Sequence, residues 1–285
     1  MAMGPAATRW RSLVRARRKE IEQLSGAPDR DDTRYWERRA KRFAARLEGT
    51  AQGDPLTTRL RRVCRAGTTV LDVGSGPGRF ALAIAPRVAE VVALDPSRAM
   101  LAILRREARK RGLANVRTVE GRWPEASAEV DPVDVAFSSY VLPIVEDAPR
   151  FLRALDAAAR RHAFLYLGAF TADAVVDPIW RHFHGTPRRP GPTWLDAVAV
   201  LREIGMEPEV EVVEVRSRTR FATLAEAVRD YRDLLVLPDT PDVRRELAGL
   251  LREWLVTTEG ALRPPIATLP AAVVRWQPSG LGADG

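Results

Sequence analysis

The sequence predicts an α/β protein built on a doubly wound, mostly parallel sheet, and three observations lead there. Short apolar runs rich in β-branched residues recur along the chain (Val70–Val73, Val91–Leu94, Val116–Val119, Ala163–Leu167). Such runs read as strands buried on both faces. The segments between them carry apolar residues at helical spacing and are long enough for a crossover helix. The first run ends in three glycines at alternate positions, Gly74, Gly76 and Gly78, where a strand passes through a tight turn into a helix. Ligands of doubly wound sheets sit at such a turn.

The strand Thr69–Val73, the turn Gly74-Ser-Gly-Pro-Gly78 and the helix opening at Phe80 form the organising unit. A dinucleotide fingerprint laid on Gly74 and Gly76 needs a small residue at position 79, where Arg79 stands, and the Gly-Lys-Ser/Thr of a phosphate loop is absent. Asp72 would repel a pyrophosphate by several kcal/mol at low effective dielectric. It would attract the sulfonium and ammonium of S-adenosylmethionine. Asp72-x-Gly74-x-Gly76-x-Gly78 after an apolar strand resembles the first motif of class I S-adenosylmethionine-dependent methyltransferases. The resemblance is to the small-molecule type with a helical cap insertion, and it covers about residues 35–215. It implies a Rossmann-like, seven-stranded sheet with an antiparallel last strand, and S-adenosylmethionine as cofactor. Asp72, Gly74, Ser75, Gly76 and Gly78 would lie around the methionine end.

Ahead of this unit, residues 1–8 are small and are expected to be disordered. Trp10–Leu24 has the apolar spacing of a helix with an arginine-rich outer face, Gly26-Ala-Pro-Asp29 interrupts it, and Thr33–Leu47 reads as a second helix. Tyr35-Trp36 resembles a pre-core segment that closes over the cofactor, which would make Tyr35 a substrate contact. Packing of this helix onto the sheet is the competing reading. Asp54-Pro55 starts a third helix that ends before Gly67.

Beyond the loop, Glu90–Leu94 is the second strand. Asp95 follows at 21 residues after Gly74 (95 − 74), the offset at which an acid accepts from ribose hydroxyls. Pro96 pre-sets the next helical turn. Met100 on that helix is placed to touch the adenine or to pack in the core. The third strand, Val116–Glu120, ends in Gly121-Arg122-Trp123. The resembled family often has an acid where Arg122 stands. An arginine cannot accept from the adenine amino group, so main-chain groups there would take that role, with Trp123 as a stacking wall. Asp134–Phe137 is the fourth strand, and Ser138-Ser-Tyr140 at its carboxyl end would line the path of the methyl group. Ala163–Leu167 is the fifth strand.

Residues 169–192 read as a loop-rich excursion holding His182 and His184. These two histidines should emerge on the ligand side, with His184 a substrate contact and either one a candidate base; a surface histidine is the plainer reading. His162, ahead of a strand, should lie at the far end of the sheet. Thr193-x-x-Asp196 has the pattern of a capping box. Glu209–Val215 alternates acid and valine as a half-exposed strand does. Two helices, 224–235 and 241–256, precede a last strand at 271–276. The expected organisation is a basic helical segment over 1–50, a cofactor-binding core over 51–216, a helical cap over 217–270, and a last strand and tail over 271–285.

Composition narrows the partners. Residues 1–46 hold 13 basic against 6 acidic residues, +7 of the net +8, so the rest is nearly neutral. That favours a small-molecule acceptor over a nucleic-acid track. The alternatives are an RNA methyltransferase using the basic arm and a non-catalytic S-adenosylmethionine-binding regulator. Cys64 is the single cysteine, so no internal disulfide and no zinc cluster is expected. Without a signal-like or membrane-length apolar stretch the expected location is the cytoplasm, and the expected state is a monomer or homodimer.

Overall fold

The computed structural model describes residues 3–25, 33–47, 49–168 and 175–279. Three helices lead in: α1 (Pro5–Ser25), α2 (Thr33–Leu47) and α3 (Pro55–Val63). Then β1 (Thr69–Val73), α4 (Ala81–Ile84), β2 (Glu90–Asp95), α5 (Arg98–Lys110), β3 (Val116–Glu120), β4 (Val133–Ser139), α6 (Ala148–Ala158) and β5 (Ala159–Gly168) follow. The remainder comprises α7 (Asp177–His184), α8 (Trp194–Glu203), β6 (Glu209–Arg216), α9 (Leu224–Leu234) and α10 (Pro241–Trp254). A hairpin of β7 (Val256–Thr258) and β8 (Ala261–Arg263) precedes the last strand, β9 (Thr268–Trp276).

The main sheet has the order β3-β2-β1-β4-β5-β9-β6. Strands β1 to β5 pair in parallel, and β9 runs antiparallel to both β5 and β6. The expected seven-stranded sheet with a reversed last strand is therefore present. One face is covered by α1, α6 and α8, where Trp10, Phe151, Leu155 and Leu201 bury against Leu71, Val73 and Leu165. The other carries α3, α4 and α5, with Leu56, Leu60, Ile84, Leu101 and Leu104 against Val70, Val91 and Phe137. Alternation along β1 sends Val70 to one face and Leu71 to the other, as a twofold side-chain period requires. The edge strand β6 points Glu209, Glu211 and Glu214 outward, and such charges protect an edge from further pairing.

Three sequence expectations need correction. Residues 1–8 are not all disordered, because α1 already begins at Pro5 and Ala7 is buried. The Glu203 carboxylate accepts from the Ala6 and Ala7 amides at 2.6 and 3.0 Å. This long-range cap supplies acceptors to a helix end that lacks its own. The excursion after β5 contains the helix α7, whose Ile179 and Trp180 pack against α9 and α10 in a separate apolar cluster with Phe221, Leu235, Leu247 and Leu251. His162 lies within β5, paired with Val135, rather than ahead of the strand. The predicted interruption at Gly26-Ala-Pro-Asp29 falls outside the described residues.

Two turn glycines behave differently, and the difference is testable. Gly78 has φ +90°, and a Cβ there would stand 2.7 Å from Leu104 and 3.0 Å from Leu82. Gly112 has φ +67° and nothing within 4 Å of that position. The left-handed conformation alone costs about 1–2 kcal/mol, and overpacking adds about 1–3. Thermal unfolding of Gly78→Ala should thus reveal a loss of about 2–5 kcal/mol, against about 1–2 for Gly112→Ala. Equal losses would mean that the contact with Leu104 and Leu82 yields without cost.

Candidate functional site

The site is built from the carboxyl ends of β1, β2 and β4. After Val73 the chain turns across the end of β2, and the Gly74 and Ser75 amides both donate to the Leu94 carbonyl, at 2.8 and 3.0 Å. Gly74, Gly76 and Gly78 all have positive φ. A side chain on Gly74 would overlap Val141, whereas at Gly76 the nearest atom is 3.9 Å away, on Phe43. The loop is therefore packed at both ends and open in its middle, beneath α2. On that helix Ala40 is buried with Met100 and Ile103 of α5, and Trp36 and Phe43 pack alongside.

Asp95 anchors this turn. Its Oδ2 accepts from the Gly76 amide and its Oδ1 from the Ser97 amide, each at 2.8 Å. Ser97 in turn caps α5, accepting from the Met100 amide at 3.3 Å. Burial raises the pKa of Asp95, and the two amides oppose that shift. A carboxylate has about four acceptor sites, so two amides leave room for further donors. Asp72 is 1 % exposed and its Oδ2 has no partner; the neighbouring Ser75 hydroxyl is likewise buried and unpaired. Burial pushes the Asp72 carboxyl up to about 8, against the pull of the Ala81 amide. Unpaired buried polar atoms are rare because each costs about 1–3 kcal/mol. Two together beside an open loop fit a polar, cationic ligand group.

The remaining expected contacts are placed as follows. Pro96 is half-buried between Asp95 and Ser97. Met100 is 2 % exposed and packs beneath α2, the core alternative of its two readings. Gly121 donates to the Asp95 carbonyl at 3.2 Å. Trp123 does not stand open as a stacking wall: it is 6 % exposed, belongs to the core, and donates from Nε1 to the Phe151 carbonyl at 3.2 Å. With Arg122, Arg18, Glu125, Glu146 and Arg150 it borders a cleft of ≈ 280 Å³. Ser138 donates its hydroxyl to the Val73 carbonyl at 3.0 Å and so ties β4 to β1.

Tyr140 adopts φ 59°, uncommon for a bulky residue, and its amide donates to the Tyr166 carbonyl at 2.9 Å. The two rings meet edge to face at 5.0 Å. The residue is 44 % exposed, yet burial of its phenol pushes the pKa up to about 12, against the opposing influence of Tyr166. Behind it lies a group that sequence reading missed. Asp54 caps α3, accepting from the Leu56 amide at 2.9 Å through Oδ1. Its Oδ2 meets the guanidinium groups of both Arg79 and Arg218, and the Tyr166 hydroxyl at 3.4 Å. Asp54-Pro55 was legible only as a helix start, and Arg79 only as a mismatch to a dinucleotide loop.

His184 and Tyr35 belong to the cap. His184 Nε2 lies 2.8 Å from the Leu235 carbonyl, with its ring 4.2 Å from that of Trp180. His182 pairs with Glu246 at 2.7 Å. Neither histidine is held at the end of β4 in the manner of a base. Tyr35 lies under the Arg39 guanidinium, 4.1 Å away. Arg39, Arg42 and Arg46 of α2 pair with Asp230 and Asp233 of α9. Ion pairs thus clasp the helix over the glycine loop to the insertion. The basic α1 is likewise no free arm. Arg9 pairs with Asp196, Arg15 and Arg18 pair with Glu146, and Trp10 is fully buried, donating to the Val145 carbonyl at 2.7 Å.

Residues 70–162 match the model of a methyltransferase domain. The chain is 27% identical over 137 residues to the uncharacterized methyltransferase YcgJ of Bacillus subtilis, covering 47% of this chain and 54% of that one. It is 34% identical over 120 residues to the malonyl-[acyl-carrier protein] O-methyltransferase of Xylella fastidiosa, covering 40% and 38%. The chain therefore spans about half or less of the length of these two curated relatives. In fold it resembles the magnesium protoporphyrin IX methyltransferase of Synechocystis, solved with bound S-adenosylhomocysteine. The TM-score is 0.50 at 13% identity, covering 96% of this chain and 98% of that one. Among the described residues no helix is long and apolar enough to cross a membrane.

Proposed function

Because this chain belongs to the class I S-adenosylmethionine-dependent methyltransferases, we propose that it methylates an O or N nucleophile of a small-molecule acceptor. The observation that carries the reading is the buried Asp72 Oδ2, left without a partner beside the open middle of the glycine loop. Asp72 and Ser75 would hold the methionine ammonium. Gly74, Gly76 and Gly78 let the backbone approach, and Asp95 would accept from the ribose hydroxyls. Pro96, Gly121 and Arg122 would frame the adenine, chiefly through backbone groups, with Met100 and Trp123 packed behind them in the core. Ser138 holds β4 against β1, so that Tyr140 faces the acceptor, and α2 with Tyr35 and the cap helices with His184 would shield it.

The sulfonium of the bound cofactor supplies an already reactive methyl group. The protein's task is to hold the acceptor in line and exclude water, and alignment of this kind contributes about 7–11 kcal/mol. A small acceptor is favoured because the basic α1 is packed onto the core, with Arg9, Arg11 and Arg15 paired to Asp196, Asp147 and Glu146. The names of two relatives also specify acceptors that are not nucleic acids. Incubation with methyl-tritiated S-adenosylmethionine and a fractionated extract of the source cell tests this. Label should appear in the low-molecular-mass fraction; label confined to RNA, or no transfer to any fraction, would overturn it.

A further inference from the structure

Two guanidinium groups, one buried and one partly exposed, converge on one carboxylate near the carboxyl end of the sheet. Arg79 follows the glycine loop directly, and its side chain is 6 % exposed. Arg218 lies just past β6 and is 22 % exposed. Both reach the same oxygen of Asp54, a side chain with no exposure. Around Asp54 there are thus two positive charges against one negative; Asp72, which also feels the Arg79 charge, belongs to the glycine loop and the ammonium position. Arg59, which also feels the Asp54 charge, does not change that count, because it is paired with Glu211 at 2.8 Å. The Arg79 Nε is buried and has no hydrogen-bond partner. The other side of the cluster is Tyr166 and then Tyr140, a partly exposed residue whose ring meets that of Tyr166 edge to face.

A buried, uncompensated positive charge is costly unless an anion completes it, and a guanidinium matches a carboxylate in shape. Resting on the methyltransferase reading above, we propose that the acceptor is a carboxylic acid. Its carboxylate would be held by Arg79 and Arg218 beside Tyr140 and methylated on oxygen to give a methyl ester. In that step the methyl C–S bond breaks, its electron pair staying on sulfur. A carboxylate lone pair forms the new O–CH₃ bond, the sulfonium charge and the carboxylate charge cancel, and no proton is released. A nucleophile that is already ionised needs no base, which agrees with both cap histidines being held elsewhere.

The full chain is incubated with methyl-tritiated S-adenosylmethionine and a panel of straight-chain and aryl carboxylic acids. Each acid is paired with its primary amide, and the cell extract is run alongside. Label transferred to the acids, or into the extract, should be released by alkali as volatile methanol, with none passing to the amides. Arg218→Gln should raise KM for the acid by at least about tenfold, equivalent to ~1.4 kcal/mol. Its affinity for S-adenosylhomocysteine in isothermal titration should be unchanged. Arg79→Gln should do the same, and Arg218→Gln carries the test if that variant does not fold. Alkali-stable label, transfer to amides as readily as to acids, or an unchanged KM in Arg218→Gln would overturn the carboxylate assignment and leave the methyltransferase reading standing. A wild-type chain that does not bind S-adenosylhomocysteine would instead strike at that earlier reading, and the ester assignment would fall with it.

Discussion

Asp95→Ala should lower the affinity for S-adenosylhomocysteine by at least about 100-fold in isothermal titration. In the proposed site Asp95 accepts from two ribose hydroxyls. Hydrogen bonds to a charged acceptor are worth about 1.5–3 kcal/mol each, and ~1.4 kcal/mol is tenfold in affinity. Two of them give about 3–6 kcal/mol, or roughly 100-fold to 10⁴-fold. The same carboxylate takes the Gly76 and Ser97 amides in the free protein. Truncation would leave both unpaired, so the variant should also melt earlier. Asp95→Asn keeps one acceptor oxygen and should fall between the two. An unchanged affinity in Asp95→Ala, or NAD binding as well as S-adenosylhomocysteine does, would contradict the ribose role.

The legible part of this fold was the part whose causes are local. Thr69–Gly78 carries its strand, its bend and its acid within ten residues, and the offset to Asp95 counts off from Gly74. The capping box at Thr193 and Asp196 is similarly short-range, with Asp196 accepting from the Thr193 amide at 2.9 Å. What escaped depends on partners far along the chain. The start of α1 is set by Glu203, 197 residues from Ala6. Arg218 is 164 residues from Asp54, and no periodicity in either segment announces their meeting. Trp123 looked like a stacking wall because the residues after a third strand often face ligand. Its pairing with the Phe151 carbonyl became visible only once α6 was in place. The β7–β8 hairpin did have a signal: Glu259-Gly260 both take positive φ, and a residue-glycine pair between short runs is a hairpin turn.

Asp72→Asn should make the free protein more stable at pH 8 while costing it cofactor affinity, and the sign follows from burial. The Asp72 carboxyl titrates at about 8 in the folded chain, against about 3.9 when unfolded. Between those values the folded state holds a proton that the unfolded state releases. Stability therefore falls as pH rises through that window and levels off above about 8. The full cost of ionising the buried group is on the order of several kcal/mol. Asparagine removes it, so the two proteins should melt alike near pH 4–5 and diverge by pH 8 in favour of the variant. Asp54, also raised by burial, is common to both proteins and cancels in the comparison, whereas removing the Asp72 charge also relieves its repulsion with Asp95 and adds to the variant's gain. Binding should run the opposite way. The ammonium of S-adenosylhomocysteine favours the ionised carboxylate, so wild-type affinity should climb toward tenfold per pH unit between about 6 and 8. In the variant it should be weak and flat. Parallel melting curves would mean that Asp72 is ionised at neutral pH even without ligand. Identical binding slopes would remove it from the ammonium's company. If both expectations hold, this carboxylate destabilises the empty fold for the same reason that it attracts a cation: water is kept from one of its oxygens.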